Sequence, residues 1–332
     1  MKPFWKDVLA GLVMGLAVPG ILLNFAVAML NREKTEAAPV PETAAGTTEA
    51  SETAPERVSM SMRLRREDGT VEEMDMDTYL VGVVLAEMPA YFETEALKAQ
   101  AVVARTYTQK AYVTGGKHAD GSVCTKSTCC QAYTTEADYL ARGGSRENVD
   151  KVRDAVLATS GYVLTYGGTL IEATYFSCSG GSTEDAAAVW GTDFPYLRAV
   201  DSPGEEEAAH YTDTETFTAA EFQKALGVTL SGSPSGWLGA VTYTAGGGVD
   251  TMVIGGTEYS GTRLRSLLGL RSTAFTMTAS GDAITVTTRG YGHRVGMSQY
   301  GADAMAVTGS SYVEILEHYY QGAVLEKWDA EK

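Results

Sequence analysis

Between Val8 and Leu30 the chain reads VLAGLVMGLAVPGILLNFAVAML, 23 residues without a charge. A segment of that length crosses a bilayer as a helix, and Pro19 is tolerated in it as a kink. Lys2 and Lys6 precede it and favour a cytoplasmic residue 1–7 flank, although Arg32 and Lys34 beyond it weaken the asymmetry. A cleaved signal peptide is the alternative, since Ala26-Val27-Ala28 has the small-residue character of a cleavage site. The length of the run favours a transmembrane anchor over 8–30. Either way the remainder is exported. The expected location is the cell membrane, single-pass, with the C-terminal part extracytoplasmic.

Residues 31–56 are expected to be a flexible acidic stalk. Their EKTEAAPVPETAAGTTEASETAPE (33–56) contains no aromatic residue and cannot bury a core. What has to fold is residues 57–332. The formal net charge of −16 argues against a nucleic-acid partner and leaves no basic patch for anionic lipid.

Within 57–332 the periodicity predicts a mixed α+β fold. DGTVEEMDMDTYLVGVVLAEM reads as a turn and a strand, then a helix opened by Asp77 as N-cap and stopped by Pro89. A second, alanine-rich helix is expected from Thr94 or Glu95 to about Tyr112, and a third over 148–159. YVLTYGGTLIEATYF (162–176) reads as a hairpin turned at Gly167-Gly168. Residues 204–290, with one short helix (218–226) and glycine turns between strands, read as an inserted smaller subdomain. After His293 the pattern is helical again and is expected to pack back on the first part.

Four stretches carry polar chemistry. Glu87 ends the first helix on the face of Leu80, Val83 and Val84, at the negative end of the helix dipole. Burial and dipole both raise a carboxylate pKa, which suits a general acid for glycosidic bonds. The plainer reading is a glutamate at a frayed helix end, or one paired with Lys98 or Arg105. In TRGYGHRVGMSQYGA (288–302), glycines surround His293, and Ser298 can cap the following helix. This makes His293, Ser298 and Gln299 candidates for a substrate cleft, or else a glycine-rich structural turn. FSCSGGSTED (176–185) offers Ser177, Ser179 and Thr183 for bonding a sugar. Serine catalysis with His293 lacks the G-x-S-x-G elbow. Finally, His118, Cys124, Cys129 and Cys130 form a His-x5-Cys-x4-Cys-Cys array. Four N/S donors fit a tetrahedral structural zinc, whereas export makes disulfides the rival, with Cys124 bonded to one neighbour and Cys178 available for the other. A zinc hydrolase is disfavoured, since four protein donors leave no position for water.

EMPAYFETEALKAQAVVARTY, SGGSTED with VWGTDFPYLRAV, and GYGHRVGMSQYGADAM, in that order across about 58–325, resemble the stage II sporulation protein D family, which also includes amidase enhancers. The resemblance implies a peptidoglycan lytic transglycosylase of forespore engulfment. Such an enzyme cuts the β-1,4 bond from N-acetylmuramic acid to N-acetylglucosamine in glycan strands stripped of peptides and leaves 1,6-anhydro ends. It implies Glu87 as the catalytic residue, with Lys98, Arg105, Ser177, Ser179 and His293 lining the cleft. It also implies stage II sporulation proteins P and M as membrane partners. Some members hold zinc with two His and two Cys, so Cys129 would replace one His here, which favours zinc over a disulfide. Arg294 stands where many members have glycine, and is expected to contact the muramic carboxylate or to point to solvent. The rival function is a non-catalytic glycan-binding enhancer of a partner amidase.

Overall fold

A computed structural model describes residues 60–328. The expected anchor (8–30), its flank (1–7) and the stalk (31–56) lie outside the described residues. Among the described residues no helix is long and apolar enough to cross a membrane.

Strands β1 (Ser61–Arg65) and β2 (Val71–Asp75) form an antiparallel hairpin, Ser61 opposite Asp75. Helix α1 (Met76–Glu87) follows at once, and its cap differs from expectation. The Asp75 carboxylate accepts the Thr78 N–H at 2.9 Å, so Asp75 is the N-cap and Asp77 lies inside the first turn, buried. Nor is α1 apolar on one face only. Every residue from Tyr79 to Leu85 is buried, as in a helix covered on all sides. Its cover comes from α2 (Thr94–Thr114), from α4 (Arg146–Ala158) beyond the short α3 (Glu136–Ala141), and from the segment 131–134. That segment lies so close that a Cβ on Gly82 would sit 2.5 Å from the Thr134 carbonyl oxygen and from the Tyr133 ring. Met88, extended before Pro89, ends α1 as the proline requires.

Strand β3 (Val123–Cys124) pairs in parallel with β1. Strands β4 (Tyr162–Tyr166) and β5 (Thr169–Leu170) make the expected hairpin at Gly167-Gly168. The end of the predicted hairpin region behaves differently, because β6 (Tyr175–Phe176) has a remote partner. After β7 (Gly181–Ser182), α5 (Ala186–Trp190) and β8 (Asp201–Ser202), the chain enters a region with its own hydrophobic cluster. This region runs through β9 (Thr212–Thr218), α6 (Ala219–Leu226), β10 (Leu238–Tyr243), β11 (Val249–Ile254), β12 (Thr257–Ser260), α7 (Gly261–Leu268), β13 (Ala274–Ser280) and β14 (Ala283–Arg289). It holds two three-stranded sheets, β10-β11-β12 and β13-β14-β9, around Phe222, Trp237, Leu264 and Ile284.

The chain then returns. Strand β15 (Met297–Ser298) pairs in parallel with β6, Met297 against Tyr175. Helices α8 (Gln299–Val307) and α9 (Tyr312–Tyr319) pack on α2, and β16 (Val324–Lys327) completes the β4–β5 sheet. The class is mixed α+β.

Candidate active site

The C-terminal end of α1 opens into a cleft of about 760 Å³. Glu87 lines it with Gln131, Tyr175, Ser177, Trp190, Tyr291, His293 and Gln299, among others. The parallel β6–β15 pairing and a single bridge from Cys178 to Tyr291 bring the 175–178 and 291–299 walls together.

Glu87 is half-buried. One carboxylate oxygen accepts the Ala132 N–H at 2.6 Å, and the Tyr175 hydroxyl hydrogen-bonds the same carboxyl. Burial raises its pKa above the ordinary glutamate value, and these two hydrogen bonds offset that in part. Neither Lys98 nor Arg105 pairs with it. The Tyr175 hydroxyl also reaches Gln131 Oε1 at 3.3 Å, and the Gln131 amide donates to Thr108 Oγ1 at 2.9 Å, which fixes this wall. The other carboxylate lining the cleft, Glu172, is held by Lys110 at 2.6 Å.

His293 packs edge-on to Phe176 and at a tilt to Trp190, and its Nδ1 accepts the Val295 N–H at 3.1 Å. Burial, reinforced by the Arg265 charge, pushes its pKa down to about 4, so it is neutral near pH 7, and its ring N–H is hydrogen-bonded to the Tyr175 backbone. Trp190 and Tyr291 are each 41% exposed, an unusual state for large rings and one suited to covering sugar faces.

The structure separates the remaining expected cleft residues from this site. Lys98 pairs with Glu95 at 2.7 Å and lies over the Tyr312 ring. Arg105 is fully buried, bound to Asp77 at 3.0 Å and to the carbonyls of Val156 and Tyr162. Ser179 is also fully buried. Its hydroxyl donates to Glu205, which takes the Cys178 thiol and the Ser179 N–H as well. Ser298 is the buried N-cap of α8, accepting the Gly301 N–H at 3.2 Å. These four are framework residues, whereas Ser177, His293 and Gln299 do line the cleft. Gln131, Tyr175, Trp190 and Tyr291 were not anticipated. Trp190 and Tyr291 stand inside the quoted VWGTDFPYLRAV and GYGHRVGMSQYGADAM, so their motifs were the available signal.

Arg294 neither points to solvent nor enters the cleft. It is 2% exposed and binds Glu184 at 3.0 Å and the carbonyls of Ser179, Ser182 and Gly246 at 2.7 Å each. Its φ of 64° is left-handed, a state that costs a non-glycine residue roughly 1 kcal/mol and is sustained by these bonds. Glu184 also accepts from the Gly248 N–H, and a Cβ on Gly248 would lie 2.2 Å from its oxygen. The pair therefore ties the 182–184 turn to the 244–248 turn.

The donor atoms of His118, Cys124, Cys129 and Cys130 all lie within 4.8 Å of one another. His118 Nε2 is 3.7 Å from Cys129 Sγ, which is 3.9 Å from Cys130 Sγ. A tetrahedral zinc with bonds of about 2.3 Å sets its donors about 3.8 Å apart, so the set fits a metal. All four cysteines are free thiols, and Cys178 lies away at Glu205, so the rival disulfides are not formed.

A stage II sporulation protein family model matches residues 65–166. The chain is 43% identical over 271 residues to stage II sporulation protein D of Bacillus subtilis (strain 168), covering 80% of this chain and 78% of that protein. Against stage II sporulation protein D of Bacillus amyloliquefaciens the identity is 41% with the same coverage. Against the amidase enhancer of Bacillus subtilis (strain 168) it is 30%, covering 75% of this chain and 40% of that one.

Proposed function

The chain belongs to the stage II sporulation protein D family, and from that premise we propose that it is a membrane-anchored lytic transglycosylase acting on peptide-stripped peptidoglycan glycan during engulfment. One observation carries the reading. Of the two carboxylates lining the cleft, Glu172 is neutralised by Lys110, while Glu87 has a raised pKa and only hydrogen-bond partners. A glycosidase that hydrolyses commonly uses two free carboxylates, and a site with one suits intramolecular attack.

In the proposed reaction, protonated Glu87 gives its proton to the glycosidic oxygen as the C1–O bond of the muramoyl residue breaks. The resulting carboxylate then takes the proton of that residue's own C6 hydroxyl, whose oxygen closes on C1. The 1,6-anhydro ring forms, Glu87 is again protonated, and no water is consumed. Because the nucleophile belongs to the substrate, a large effective concentration needs no further residue. The Ala132 N–H and the Tyr175 hydroxyl stabilise the carboxylate stage, and the neutral His293, bonded to the Tyr175 backbone, holds the cleft wall beside them. His118, Cys124, Cys129 and Cys130 would hold a zinc ion, which when bound supplies a cross-link in the loop that continues into Gln131 and Ala132.

Location at the cell membrane and partnership with stage II sporulation proteins P and M belong to the same proposal, by family resemblance. The test is purified full-length protein on peptide-free glycan strands, read by mass spectrometry. Anhydro-ended fragments from wild type and none from Glu87→Gln are expected. Reducing-ended fragments would mean hydrolysis, and binding without cleavage would favour the enhancer reading suggested by the amidase-enhancer relative.

A further inference from the structure

The acid–base chemistry leaves one charged group in the cleft without a use. Lys117 follows α2 and lines the cleft with an exposed side chain. Its ammonium donates to the carbonyl of Cys129, an uncharged partner, and among the described residues it makes no ion pair. Ser127 and Thr128, from the loop that ends in the cysteine pair, line the same cleft and add two hydroxyls. No other lysine or arginine is among the lining residues.

An ammonium and hydroxyls in one cleft are a receptor for an anion, and exposed rings in the same cleft are a receptor for sugar faces. The whole chain carries −16, so an anionic ligand is repelled at long range and needs a local cation. Locally the balance is favourable, since Lys110 already neutralises Glu172. We infer that Lys117, assisted by Ser127 and Thr128, is the subsite that reads the free carboxylate of the peptide-stripped strands proposed above, and is the residue on which discrimination against amide-blocked strands depends. This rests on reading the cleft as a glycan site.

The experiment measures binding by calorimetry in the full-length Glu87→Gln protein, where cleavage does not interfere. The probes are muramic-acid oligosaccharides with free carboxylates and the same oligosaccharides with those carboxylates amidated. The Glu87→Gln parent should prefer the free form about tenfold. Adding Lys117→Ala or Lys117→Gln should weaken the free form about tenfold and leave the amidated form unchanged, and Lys117→Arg should keep the preference. Zinc content, measured alongside, shows whether the neighbouring His118 cluster is intact. A preference that survives both neutral substitutions overturns the subsite, as does an equal loss on both probes in a variant that keeps its metal. A protein that binds neither probe overturns the glycan reading as well. A wild type that binds with this preference but does not cut would sink only the lyase reading.

Discussion

Helix α1 carries a carboxylate near each end, and the two have opposite fates. Asp77, in the first turn, is buried at the positive end of the dipole, paired with Arg105 at 3.0 Å and bonded by the Ser160 hydroxyl at 2.6 Å. Glu87, in the last turn, sits at the negative end with one backbone N–H and one phenol for company. A buried acid paired with a buried cation serves the framework. An acid without one keeps a raised pKa and can exchange a proton with a ligand. What separates structure from chemistry here is the partner and not the burial.

The comparison breaks most visibly under Glu87→Gln. Cleavage should fall about a thousandfold or more, within the range for losing a general acid–base, with the fold intact by circular dichroism. A group whose folded pKa is raised favours the folded state below the unfolded value and loses that contribution as pH rises. Glu87→Gln should therefore unfold no more easily than wild type at pH 7, and any advantage should vanish below pH 4.5. A strongly destabilised Glu87→Gln would make both ends of the helix structural.

Asp77→Ala should do the reverse, leaving Arg105 buried and uncompensated. Urea unfolding should show a loss of about 3–5 kcal/mol, with the residual folded fraction still active. Tyr175→Phe is intermediate. It deletes a hydrogen bond that holds the Glu87 pKa down, so the high-pH limb of the rate profile should move to higher pH while the rate falls by up to about tenfold. The smallest effect concerns His293. Its pKa near 4 predicts no inflection at 6.5 in the rate profile, and a modest loss of stability as pH falls from 6.5 through about 4 that His293→Gln should remove. An inflection at 6.5 that disappears in that variant would show an exposed, titrating imidazole.

The place of Glu87 was legible in the sequence because Pro89 fixes where α1 ends and the apolar run before it marks a buried helix. The hairpin at Gly167-Gly168 and the Ser298 cap of α8 were legible for equally local reasons. Asp77 was misread as a cap because the pattern does not say which of two aspartates, 75 or 77, turns inward. Only Arg105, 28 residues away, decides that. Lys98, Arg105 and Ser179 were placed in the cleft by resemblance, which transfers residue identities but not their partners. Trp190 and Tyr291 escaped because exposure of a ring is a property of packing, and periodicity carries no trace of it. Arg294 shows the same limit, since its role depends on Glu184 and on the turn at 246–248.

The parallel pairing of Met297 and Ser298 with Tyr175 and Phe176 has a consequence for the order of events. A growing polypeptide acquires Glu87, Gln131 and Tyr175 early, yet the wall bearing Tyr291, His293 and Gln299 closes on them only after the whole of β9 to β14 has been made. A chain cut short before Met297 would possess its acid but no groove in which to present it. The last stretch of the sequence thus completes a groove that the earlier elements only begin.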